Sequence, residues 1–587
     1  MSPVSPVPSL IDEKKSNSIS STTSPNATFG EMELKHKSTR AHNNLQSEVK
    51  QVSDDSSEFD GLTAMGEDEE QDESGRTPGR RQIGLFSAVF IIFNRIIGTG
   101  VFATPSSILN LSGSVGLSLI MWVIGAIIAA AGMQVYIVWG TALPKNGGEK
   151  NYLEYLFRRP RFLITSMFGA NAVLLAWAAG NSLVFGEYIL LAAQVEPTRW
   201  TLRLVGFACV SFAVLIHGTA LKWGLRLQNF LGIFKVLVLL FIVVTGWVAL
   251  GGHLRDFETD ANGVGVVPGK DGVGFRTGPR DSRENFRNAF EGTKGSASGV
   301  CLCLYNVIWS YIGFSNVNYA LSEVKNPQRT VRIAGPLAIA VVTILYVLAN
   351  IAYFSAATKE EITSGGRLVA ALLFRNVYGP KAERALSVFV AMSALGNVMS
   401  VIFSQGRVNQ ELGREGILPF SKFWGSNRPF NAPLVGLLLH WAICLIVIFA
   451  LPPGDAYNFV INVISYPLSV INAAISFGIL WMAIRPYPGW PLTRAWSLGC
   501  AVFFGAVNVF LFIVPLLAPP EGAEPYESLP YWTHAVGGWA VFGLGAVYWL
   551  LWAVVAPRVG GYELRRVSEV GEDGLRRWVF KRFSKEE

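Results

Sequence analysis

Residues Ile91 to Pro105 read IIFNRIIGTGVFATP, and this stretch decides the fold. It begins as an apolar helix, is interrupted at Gly98, Thr99 and Gly100, and resumes its apolar pattern at Val101 and Phe102. Each glycine weakens a helix by roughly 1 kcal/mol relative to alanine, so the helix is expected to open here. Backbone without helical hydrogen bonds survives at membrane depth only where it lines a cavity or is packed in protein. The break is therefore expected to line a solute site.

Outward from this stretch, the 587 residues are 51% hydrophobic and 16% charged, with a mean hydropathy of +0.36. The apolar residues are gathered into about twelve runs of roughly 20 residues, the length that crosses a bilayer. They lie near 84–110, 116–142, 163–193, 201–218, 229–250, 298–322, 334–356, 385–406, 433–452, 457–484, 495–518 and 533–556. The composition predicts an all-α integral membrane protein and excludes a soluble globule. Basic residues flanking the runs account for the sequence pI near 9, so nucleic acid is not an expected partner, whereas membrane lipid is. The five cysteines all fall within runs and read as small buried hydrophobes. No residues have the spacing of a catalytic triad or a metal site, so neither an enzyme nor a cofactor is expected.

Residues 1–82 are rich in Ser, Pro, Asp and Glu and read as a disordered cytosolic tail. Lys14, Lys15, Lys35, Lys37 and Lys50 are available there for modification, and ubiquitin-ligase machinery is an expected partner of the tails. The transporter domain is set at 83–556 and a cytosolic C-terminal tail at 557–587. The short loops on the side of the two tails hold most of the basic residues, while the short loops opposite hold Arg199 and Arg203. This places both termini in the cytosol. Segment 251–296, glycine-rich and nearly balanced in charge, reads as a solvated outer loop.

The domain divides into 83–250, 298–484 and 495–556, which is five spans, five spans and two. The second group repeats the signature of the first: Gly299 to Val324 carries Ser310, Gly313, Ser315 and Asn316 in mid-span. Five being odd, the groups enter the membrane from opposite sides as inverted repeats. Interrupted helices at matching positions of two halves point to a transporter binding site.

Three motifs carry a family resemblance: IIGTGVF in the first span, WSYIGFSNVNYALSEVKNPQRT in the sixth, and LPKNGGEKNYLEYL after the second. Together they resemble the amino acid-polyamine-organocation transporters, in the L-type amino acid transporter branch. FNRIIGTG and NGGEKNYLEYL point to the fungal high-affinity methionine permeases within it. The resemblance implies a LeuT-like fold and proton-coupled symport at the plasma membrane, by alternating access, with methionine as cargo. A polyamine, choline or 4-aminobutyrate carrier, or a nutrient sensor that does not transport, are the other readings.

An amino acid brings a carboxylate and an ammonium, and both need partners once water is removed. Freed N–H groups at Thr99, Gly100 and Val101 suit the carboxylate. Carbonyls near Arg95, Ile96, Trp309 and Ser310 suit the ammonium. By resemblance, Thr99, Gly98 and Gly100 in the first span and Ile312 and Gly313 in the sixth line this polar end. Trp309 aligns with an aromatic that closes over substrate in relatives, and Phe314 follows the sixth-span break; a thioether packs well against such rings. Charges inside spans are default functional candidates. Lys235 resembles the fifth-span lysine that replaces a bound cation in sodium-independent relatives and holds the first and eighth spans together. Arg95 either pairs with an acidic group or steers the carboxylate, and Glu187 either pairs with a base or relays a proton.

Overall fold

The computed structural model describes residues 83–584, apart from 145–146, 176, 257–265, 268–273, 276–279, 431, 488–489, 520–523 and 571–575. The lysines proposed for modification fall outside these residues.

Among the described residues, ten helices are long and apolar enough to cross a membrane. The other two expected spans are shorter apolar helices, Ala297–Tyr311 and Leu434–Ala450. The sixth span is short because it is broken, and the ninth has 17 residues. Every expected span thus has its helix, in the order five, five and two. Exposed Val536, Trp539, Leu544, Val547 and Leu551 cover the twelfth span, which is only 11% buried. Such a surface suits lipid and would be an aggregation hazard in water.

The first span is helical over Leu85–Ile96, open at 97–99, helical again over Gly100–Ala103, and continues as Pro105–Ser112. The sixth is helical over Ala297–Tyr311, turns through 312–315, and resumes only as a 3-10 helix, Asn316–Glu323. Both broken spans pack against the seventh, Pro327–Ala356. The third span also breaks, between Leu163–Leu174 and Ala179–Ala192, a break that was not expected. Its second half packs along the eighth span, Pro380–Arg414.

Ile83, at the start of the first span, bridges to Val324 at the end of the sixth. The face where this occurs also bears the loop helix Glu149–Leu156 and the C-terminal hairpin of Tyr562–Val570 with Arg576–Ser584; we call it the tail face. Alternation of side chains along the hairpin points Arg566 and Phe580 inward. Phe580 packs edge-on against Phe162 and Trp552, and its N–H donates to Glu415 O at 2.8 Å. Arg566 pairs with Glu154 at 2.7 Å, and Lys150 pairs with both Glu154 and Glu415. Burial raises the Glu154 carboxyl, but Arg566 and Lys150 outweigh it and hold the group down to about 2. The hairpin strands Tyr562–Val570 and Arg576–Ser584 therefore dock against the third and eighth spans and the loop helix.

On the far face, 357–384 forms two helices, Lys359–Ser364 and Val369–Tyr378, with Val369, Ala370 and Leu373 fully buried. The first is closed by a reciprocal capping box of Thr358 and Glu361. These helices lie over the second half of the first span, where Ser106 donates to Thr363 O. The expected solvated loop 251–296 is docked at its described end. Arg280 pairs with buried Glu361 at 2.6 Å, and Asn285 donates to Phe354 O and Ala357 O.

Candidate substrate site

Where the first span opens, the N–H groups of Gly98, Thr99, Gly100 and Val101 donate to no backbone carbonyl among the described residues. Helix restarts at Gly100, so these donors form the positive end of a new helical segment. In the sixth span the N–H groups of Gly313, Phe314 and Ser315 are likewise without backbone partners. Gly313 adopts φ +122°, a conformation that side chains rarely take, and its missing side chain makes room for Arg95. Gly100 lets the two breaks meet: a Cβ there would lie 2.3 Å from Ser310 Oγ.

The carbonyl ends are divided among three partners. Lys235, fully buried, donates to Asn94 O at 2.7 Å and Ile97 O at 2.8 Å. The Tyr346 hydroxyl of the seventh span lies 3.0 Å from Ile96 O and 3.1 Å from Ser310 O, one proton shared between the two breaks. Trp309 O accepts from Ile312 N. Two of the carbonyls expected to face an ammonium, Ile96 O and Ser310 O, thus already share a donor, while Arg95 O accepts from no backbone N–H. Lys235 reaches the eighth span indirectly, through Ile97 O, which also faces Asn397 Nδ2 at 3.5 Å.

A cavity enclosing about 330 Å³ of empty space, its mouth included, lies against these breaks. Arg95, Ile96, Gly98, Thr99 and Gly100 line one side, and Trp309 and Ile312 another. Trp177, Asn181 and Asn397 complete it, from the third and eighth spans. Thr99 donates to Asn181 Oδ1 at 2.5 Å, and Asn181 donates to Asn397 Oδ1 at 2.7 Å. This chain ties the first break to both neighbouring spans.

Four residues expected at the site lie outside the lining. Val101 is fully buried behind it, and Ser310 packs on Gly100 and hydrogen-bonds toward Thr104 at 3.3 Å. Gly313 backs Arg95, and Phe314 turns to the second span, with its ring 5.6 Å from that of Tyr136. Glu187 stands apart on the far face. Its carboxylate takes both oxygens to Arg367 Nε at 2.9 Å, and Arg367 lies 5.2 Å over the Tyr457 ring. Of its two expected roles, Glu187 fills that of partner to a base.

Arg95 is half-buried, and among the described residues no carboxylate comes within ion-pair distance of it. The cavity is therefore positive where the N–H groups point, apolar at Trp177, Trp309, Ile96 and Ile312, and lined by no carboxylate. Such a surface can bind a carboxylate, wrap an apolar chain, and reject a cation that has no anionic group.

The amino acid permease family profile matches residues 83–542. The chain is 49% identical to the high-affinity methionine permease of Saccharomyces cerevisiae over 501 residues, 85% of this chain and 83% of that one. It is 31% identical to the low-affinity methionine permease of the same yeast over 86% of this chain and 88% of that one. The b(0,+)-type amino acid transporter 1 of Mus musculus is 27% identical over 84% of this chain and 93% of its own. With the profile running from the first span into the twelfth, the chain belongs to the amino acid permease family.

Proposed function

We propose that the protein takes up L-methionine across the plasma membrane, coupled to protons, by alternating access with the tail face in the cytosol. The observation that carries this reading is the cavity itself. It joins N–H groups without backbone partners, and an Arg95 with no carboxylate at ion-pair distance among the described residues, to an apolar wall of two tryptophans, with no carboxylate in its lining. The methionine carboxylate meets Thr99 and Gly100, its ammonium meets Arg95 O and Trp309 O, and its thioether lies against Trp177 and Trp309. Lys235 supplies a fixed charge at the opened backbone, which supports coupling without sodium. High identity to a protein named for methionine supports the choice of cargo.

Radiolabelled methionine uptake in cells lacking their own methionine permeases tests the reading. Accumulation that is competed by methionine, insensitive to sodium replacement and driven by an inward proton gradient is the expected result. Accumulation competed only by polyamines points to the cationic-cargo reading, and binding without accumulation points to a sensor.

A further inference from the structure

Glu149 opens the loop helix and is 3% exposed, enclosed by side chains of the second, sixth and tenth spans. Its Oε1 lies 2.6 Å from the Tyr136 hydroxyl of the second span, and that hydroxyl lies 3.0 Å from Asn472 Oδ1 of the tenth. A phenol has one proton to donate, so an ionised Glu149 leaves Tyr136 with two acceptors and a single proton. A protonated Glu149 removes the conflict, because the carboxyl donates to Tyr136 and Tyr136 donates to Asn472. The second carboxyl oxygen, Oε2, is buried without a hydrogen-bond partner. A neutral acid tolerates that far better than a carboxylate does.

Among the described residues, the surroundings supply no counter-charge. On its own helix, Lys150 is turned to Glu415 and Glu154, and Tyr152 accepts from Asn318. The sixth span presents Asn318, and Tyr319, whose ring lies over Gly148 and approaches the carboxyl without closing a bond to Oε2. From the tenth span comes only uncharged Asn472. Arg95 lies beyond Tyr319, and Glu415, from the end of the eighth span, lies behind Lys150. Burial accordingly holds the Glu149 carboxyl above its ordinary range, against the Tyr136 and Tyr319 hydroxyls and its own backbone N–H, all of them uncharged donors.

We propose that Glu149 carries the coupled proton: it is protonated while the tail face is closed around it and deprotonates when that face opens to water. The inference rests on the proton-coupled uptake proposed above. Binding converts the carboxylate to a carboxylic acid. Release returns the proton to water on the tail face, with no other bond made or broken. Tyr319 stands between Arg95 on the cavity wall and Glu149, so cavity and carboxyl share one polar seam. Mechanical linkage follows from the ion pairs, since Lys150 and Arg566 fasten the loop helix to the eighth span and the hairpin. Tyr136, Asn318 and Tyr319 belong instead to the second and sixth spans. Parting these bodies wets Glu149 and lowers its proton affinity.

The test uses the purified full chain in liposomes, with the wild type beside Glu149→Gln and Glu149→Asp. A gradient of one pH unit sustains about a tenfold methionine accumulation for one proton per substrate. Wild type is expected to reach it, while Glu149→Gln only equilibrates methionine yet exchanges internal for external methionine within about twofold of wild type. Failure of the wild type to respond to the gradient overturns the coupling and this proposal with it. Gradient-driven accumulation by Glu149→Gln, beside a responsive wild type, overturns the proposal alone. Loss of exchange in both Glu149→Gln and Glu149→Asp also overturns it, because the carboxyl is then only structural. Exchange lost in Glu149→Gln but gradient-driven uptake kept in Glu149→Asp supports it.

Discussion

The two broken spans solve one problem by different means. In the first, three residues leave the helix, and a buried cation from a neighbouring span takes the carbonyls of Asn94 and Ile97. In the sixth, no cation donates to the opened carbonyls among the described residues; the chain turns on Gly313 at positive φ, and α-helix never returns within the span. The first break is thus held from outside by charge, the sixth from within by backbone conformation. Only the first resumes as α-helix past its break.

Replacing Lys235 with methionine should have the largest effect. It keeps the volume and leaves two buried carbonyls without donors, at about 1 to 3 kcal/mol for each. Uptake should vanish and the substrate-free protein should melt earlier in detergent. Retained transport would mean that the first break supports itself as the sixth does. Next comes Gly313→Ala. The new Cβ would sit 2.4 Å from Arg95 Cγ at φ +122°, and strain of about 1 to 3 kcal/mol predicts uptake lowered roughly five- to a hundredfold. A near-normal rate would show that the sixth break does not depend on its glycine.

Tyr346 touches both breaks and so bears on the comparison directly. Tyr346→Phe removes one shared proton, worth about 0.5 to 1.5 kcal/mol to the empty protein. It also leaves Ile96 O and Ser310 O for the substrate ammonium. The substrate-free melting temperature should fall, and the rise on adding methionine should exceed that of the wild type. An unchanged methionine-induced rise would remove these two carbonyls from the ammonium's path.

The two breaks could be read from sequence because glycine and polar residues inside an apolar run are a local signal. The third-span break, with Trp177 and Asn181, could not. In LLAWAAGNSLV the polar run Gly180, Asn181 and Ser182 lies inside the resumed helix Ala179–Ala192, past the opening, so it does not mark the break, and the role of Asn181 is set by Thr99 and Asn397, which lie 82 and 216 positions away. The hairpin was no easier to read, since YELRRVSEV and RRWVFKRFS mix charged and apolar residues without a regular period of two. Its inward face is defined only by what it meets, Phe162, Trp552 and Glu415. Glu149 stood in a motif recognised for its family likeness, yet its environment depends on residues from three other spans.

Phe314 gives the smallest expected change and separates motif from geometry. By position it follows the sixth break as Val101 and Phe102 follow the first, which made it a candidate for contact with the methionine side chain. Its ring instead packs edge-on against Tyr136 and lies close to Gly132, outside the cavity. Trp309, three residues before the turn, lines the cavity. Phe314→Leu should therefore leave the KM for methionine within about twofold of wild type, while Trp309→Leu should raise it by roughly tenfold through loss of aromatic contact and buried area. The opposite ranking, measured by initial-rate uptake over a range of methionine concentrations, would mean that the substrate lies along the second span rather than between the breaks.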